Sequence, residues 1–156
     1  MNKFTTISTK DFFPLSYKGE YFHNKHELIK SFLTEKFDEE FSNILAVPIF
    51  SGRDVEWMTE SENTFKRVSD FPKIEQDKIL RTYWGKINKI NNLSQSFSSS
   101  DSEDKKKWAK LIDGVFNSNN NIVFSDGDSI ILLWGWKFNV AEENYLPDPI
   151  TNPKIQ

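Results

Sequence analysis

No cysteine occurs in the 156 residues, which excludes a disulfide framework, cysteine-ligated zinc, iron–sulfur clusters and thiol catalysis. Glycine is scarce as well. The six present form no phosphate-binding loop, no dinucleotide fingerprint and no Gly-x-Ser-x-Gly elbow. The longest uncharged apolar run, residues 130–136, falls far short of the ~20 residues that cross a bilayer. The opening stretch MNKFTTISTKDFFPLSY holds no apolar segment of signal-peptide length. No charge of one sign dominates: 20 basic and 23 acidic residues leave a net charge of −3, which gives no electrostatic footprint for nucleic acid or an anionic membrane. These absences lead us to expect a cytoplasmic protein with no cofactor, no bound metal, no nucleic-acid partner and no membrane insertion. The basic clusters Lys66-Arg67 and Lys105-Lys106-Lys107 are flanked by acids and read as solvated helix faces.

Aromatic side chains are plentiful. They make up 15% of the chain, and 14 of them are Phe. Rings bury large areas each, so a hydrophobic share of 37% still builds a core. The length suits one domain that buries ~70% of its unfolded surface. The preference for Lys over Arg, with abundant Asn, suggests an AT-rich bacterial genome.

Along the chain, Asn24 and Glu27 stand at capping-box spacing before Leu28, Ile29, Phe32, Leu33, Phe37 and Phe41, which recur with helical period. A hairpin is expected from Ile44 to Met58, turning at Ser51-Gly52, with Pro48 confining its first strand to an edge or bulge. Ser69 or Asp70 caps a long helix whose stripe runs Ile74, Ile79, Leu80, Tyr83, Trp84, Ile87, Ile90 and Phe97. After SSSDSED, with Ser100 and Glu103 at capping spacing, comes a third helix carrying Trp108, Leu111, Ile112, Val115 and Phe116. These two helices predict an αα-hairpin. A second hairpin follows, NIVFSDGDSIILLWGWKF, turning at Asp126-Gly127 and covered on both faces between Ile130 and Trp134. Beyond Trp134 the cover is expected to thin, and Gly135 marks a bulge or the close approach of another backbone. The expected fold is α+β: two β-hairpins in one antiparallel sheet packed by three helices, forming a single domain over 1–138. Residues 139–156, with three of the six prolines, form an extended or mobile tail.

The segment from VEWMTE through the helical pair to the strand ending in Trp-Gly resembles bacterial SrfA-type virulence-associated proteins over Val55 to Phe138. That resemblance implies an accessory role in a bacterial assembly and carries over no catalytic residue.

His23 and His26 supply only part of a metal site and read as surface histidines at a helix start. Asp126 and Asp128 serve a turn, since SDGDS lacks the remaining calcium-loop oxygens. A small carboxylate-dependent hydrolase using Glu56, Asp126 or Asp128 remains an alternative, as does sugar binding on stacked indoles. The leading expectation is a non-enzymatic adaptor or accessory subunit, with an immunity protein that blocks a toxin as a further alternative. Its anchors for a protein partner are Trp57, Trp134, Trp136 and Tyr145, because tryptophan and tyrosine are favoured at binding hot spots.

Overall fold

A computed structural model describes residues 1–10, 12–138 and 146–147. The strands are β1 (Asn2–Ser8), β2 (Phe13–Pro14), β3 (Ser16–Tyr17), β4 (Glu20–Tyr21), β5 (Val47–Ser51), β6 (Asp54–Thr59), β7 (Lys66–Arg67), β8 (Ile122–Ser125), β9 (Ile130–Leu133) and β10 (Trp136–Lys137). The helices are α1 (His26–Lys36), α2 (Glu39–Ser42), α3 (Lys73–Ser98) and α4 (Glu103–Val115). The fold is mixed helix and antiparallel strand, as the pattern of the sequence predicts.

Among the described residues the expected single sheet is replaced by two three-stranded sheets and two two-stranded ones, β10-β2 and β3-β4. One three-stranded sheet has the order β1-β6-β5 and the other β7-β8-β9. The N-terminal NKFTTIS, not read as a strand, takes the free edge of β6. Between the three-stranded sheets runs one parallel bridge, Leu45 to Leu132. The Leu132 N–H donates to the Ile44 carbonyl at 2.7 Å, and the Ala46 N–H donates to the Leu132 carbonyl at 3.1 Å. Outward-facing positions alternate along a strand, so the next after Ala46 is Pro48, which has no N–H to extend the ladder. Pro48 lies in the edge strand β5, as expected. Each hairpin therefore closes with a different third strand.

The helices follow most of their stripes, except that Leu28 and Ile74 are exposed. They do not always take their expected caps: α3 starts after Pro72 with no side-chain cap from Ser69 or Asp70. Asn24 lies inside a 3₁₀ turn, Phe22–Lys25, and α1 starts at His26 without a side-chain cap. The expected Phe37–Phe41 continuation breaks at Phe37, and Asp38 restarts the chain as α2 by accepting from the Phe41 N–H at 2.7 Å. Ser102, rather than Ser100, caps α4 by accepting from the Lys105 N–H. α3 and α4 pair as the expected αα-hairpin, joined by the Ser94 hydroxyl donating to Asp113 at 2.6 Å. Lys66 and Arg67 lie in a strand, not on a helix face, because they pair with β8.

β8 and β9 are buried along their whole length, as is Trp134, which matches the expected double cover. On the face of Gly135 and Lys137, where the cover is expected to thin, Gly135 is still buried and Lys137 is exposed, while Trp136 on the opposite face is buried. Leu146 belongs to the same core, so residue 138 does not end it. Tyr145 and the rest of the expected tail, apart from Leu146 and Pro147, lie outside the described residues.

One polar network crosses this interior. Tyr83 on α3 donates its hydroxyl to Asn121 Oδ1 at 2.8 Å, and Asn121 Nδ2 donates to the Val115 carbonyl at 2.8 Å. Burial pushes the Tyr83 phenol well above its ordinary value, so it acts as a neutral donor. Tyr83→Phe deprives a buried amide oxygen of a donor and should cost about 1–3 kcal/mol. Urea unfolding measures this directly, and an unchanged midpoint would show that the bond contributes nothing.

Candidate functional site

The segment WGW sits where the last hairpin strand changes partners. β9 ends at Leu133, and β10 resumes at Trp136 against β2. Between them Gly135 adopts φ +91°, and a Cβ built there would lie 3.2 Å from the His23 Cβ and 3.6 Å from its backbone. This is the close backbone approach that the glycine predicts. The Gly135 carbonyl accepts from the Leu15 N–H at 2.8 Å, and Phe22 N–H donates to the Leu15 carbonyl at 2.9 Å. The turn that leads into α1 is thereby held against the strand.

Two histidines meet two tryptophans across this contact. The His23 ring stacks on Trp136, with centroids 4.6 Å apart and planes 6° apart. His26 lies near-parallel to Trp134 at 6.0 Å. Trp57, from the other sheet, meets both indoles edge-on at 6.5 and 5.9 Å. Trp134 Nε1 donates to the Ala46 carbonyl at 2.8 Å.

All three tryptophans are sealed, at 0%, 0% and 2% exposure for Trp57, Trp134 and Trp136. The expectation that they anchor a partner is corrected. Their apolar area is consumed by the junction of the two sheets. The reading of both histidines as surface residues also fails: His26 is buried and His23 half-buried, because the strand break brings two indole faces against them.

What reaches the surface is the margin of the cluster. Tyr21, at 46% exposure, stacks on His23 with centroids 5.2 Å apart. Phe50, at 51%, leans on His23 at 4.8 Å and on Trp136 at 5.9 Å. Tyr21 is delivered by a two-residue turn, Lys18-Gly19, whose φ values of 52° and 81° suit a tight hairpin. Phe50 comes from the edge strand β5, two residues before the Gly52-Arg53 turn. Sequence reasoning passed over both rings. The usable signal was their position beside turn glycines, Gly19 and Gly52.

Polar chemistry near this cluster is sparse. His23 Nδ1 and His26 Nε2 are buried without a hydrogen-bond partner among the described residues. Burial lowers the pKa of His23. It also lowers that of His26, where the nearby Glu27 carboxylate opposes the shift and Lys30 reinforces it. Among the described residues no group of three or more histidine or acidic side chains is placed to hold a metal ion.

The carboxylates of the hydrolase alternative are not brought together. Glu56 pairs with Lys3 at 3.6 Å on the sheet of β6. Asp126 is occupied by its turn, accepting from the Asp128 and Ser129 N–H groups at 2.9 and 2.8 Å and from Asn63 at 2.8 Å. Partial burial works against its charge, yet these bonds prevail and hold the carboxyl down to about 2. Asp128 is exposed and lies 3.8 Å from Lys78. Of the three, only Asp128 lines the cleft between the sheets.

No helix among the described residues is long and apolar enough to cross a membrane. No family model, curated protein or solved structure matches the chain.

Two outcomes follow from this geometry. Gly135→Ala places a side chain at positive φ and against His23, and should destabilise by about 1–3 kcal/mol, measured as a shift in the denaturation midpoint. The histidines set a pH dependence. Unfolded imidazoles titrate near ~6.5, and the folded ones hold their protons less well. Stability is therefore full above that value and falls as pH drops from it toward the lower folded values, because the unfolded chain binds more protons. The urea midpoint should drop between pH 7.5 and 5.5, with a shallower fall in His23→Gln. A flat profile for the parent chain contradicts the buried neutral stack.

Proposed function

We propose that the protein is a non-enzymatic protein-interaction module that docks a protein partner on the Tyr21–His23–Phe50 platform. One observation supports this above the others: two half-exposed rings flank an imidazole that is itself stacked on a sealed indole. Such rings lose little side-chain freedom on binding, because their bases are already packed. Exposed aromatic groups on a rigid base have the character of interface hot spots. The accessory role implied by the SrfA-type resemblance, and the toxin-blocking alternative, would both use this platform as the anchor.

Tyr21→Ser and Phe50→Ser remove exposed rings and leave the core intact. Each should weaken partner capture by about 30-fold, the effect of losing a ~2 kcal/mol hot spot, at an unchanged melting temperature. The measurement is quantitative capture from the native host with parent and variants as bait. Retention of the same stoichiometric partner at full strength by both variants would sink the platform reading.

A further inference from the structure

We propose that the cleft between the two sheets is a second site, which receives an extended peptide segment as an added strand on the free edge of β9. The cleft has a volume of about 330 Å³, at the lower end of the range for ligand pockets. It opens where the pairing of the 44–46 segment with β9 stops. Leu132 turns both its N–H and its carbonyl outward, the N–H to the Ile44 carbonyl and the carbonyl to the Ala46 N–H. Backbone direction alternates along a strand, so Ile130 turns its N–H and carbonyl to the same side. No strand of the described chain meets them there. The residues before Leu45 have already curled away, with the Ile44 N–H donating to the Phe41 carbonyl and the Leu45 N–H to the Ser42 carbonyl. Ile130 and Ile131 both line the cleft. A donor and an acceptor side by side on one strand residue are the complement of another backbone.

The walls add selectivity. Leu45, Val47 and Phe65 form an apolar lining suited to one side chain of an extended chain. Lys30 from α1 and Lys86 from α3 face the same space as Glu60 and Asp128 from loops. Lys30 and Glu60 make no ion pair among the described residues, and Lys86 rests over the Phe41 ring at 4.9 Å. Charges of both signs are thus available at the mouth. The occupant is accordingly an apolar residue held between charged ones, in extended conformation, with its main chain paired to Ile130. This site does not share a residue with the Tyr21–Phe50 platform, so either can fail alone.

A phage-displayed library of random hexapeptides, selected on the full chain, is the probe. Enriched peptides, made synthetically, should shift the Ile130 and Ser129 amide resonances in a saturable way. N-methylation of the peptide residues one at a time should weaken binding about five-fold at the position whose N–H faces Ile130, as the loss of one hydrogen bond predicts. Lys30→Gln and Glu60→Gln should weaken it, and Phe50→Ser should leave it unchanged. The proposal is overturned if no hexapeptide shifts the cleft amides. It is equally overturned if N-methylation has no effect, or if the shifts fall on Tyr21 and Phe50 instead.

Discussion

Three buried polar contacts tie one strand to one short segment, and the rest of the molecule is arranged around them. Leu132 accepts from Ala46 and donates to Ile44, and two residues on the Trp134 indole donates to the Ala46 carbonyl. Ile44, Leu45 and Ala46 are buried, so losing any of these bonds would strand a polar group away from water. This junction holds two three-stranded sheets side by side while letting each close separately. It packs Trp57 against Trp134 and Trp136. Where it ends, it leaves the cleft beside Ile130.

The aromatic excess has a structural explanation in that junction. Two sheets that meet at one bridge leave a wedge of irregular shape, and wide flat rings fill such a space with few residues. Trp136 seals the wedge from one side, with Phe138 at 6.1 Å and Phe50 at 5.9 Å. Elsewhere the same device recurs at smaller scale, as Phe32 lies flat on Trp108 at 4.1 Å between α1 and α4. The surface rings Tyr21 and Phe50 are the outermost layer of this stacking and inherit its rigidity.

Local features were the legible part of the fold. The αα-hairpin, both β-hairpins, the edge position of Pro48 and the glycine contact at 135 each follow from short-range chemistry, and each appears. What escaped was pairing between distant segments. β1 has no hydrophobic alternation strong enough to announce a strand; its order comes from β6, which borders it on one side. The split into two three-stranded sheets turns on where outward backbone groups stop finding partners, which no residue type signals. The site was legible as a cluster and not as a surface. Trp57, Trp134 and Trp136 do converge, but their fate was decided by His23 and His26, whose i, i+3 spacing matches two indole faces only once Gly135 has brought the segments together.

The pairing of β2 with β10 sets a condition on how the molecule is made. Pro14 faces Trp136 and Phe13 faces Lys137, so a segment near the start of the described chain is completed by one near its end. During synthesis the helical hairpin can form early from local contacts, whereas this closure waits on distant residues and a long loop. Until residue 138 has left the ribosome, the bed for His23 does not exist and the first hairpin has no neighbour at Leu45. A nascent chain therefore carries this aromatic surface uncovered until β10 has emerged to pair with β2, and assembly of the junction waits on that segment.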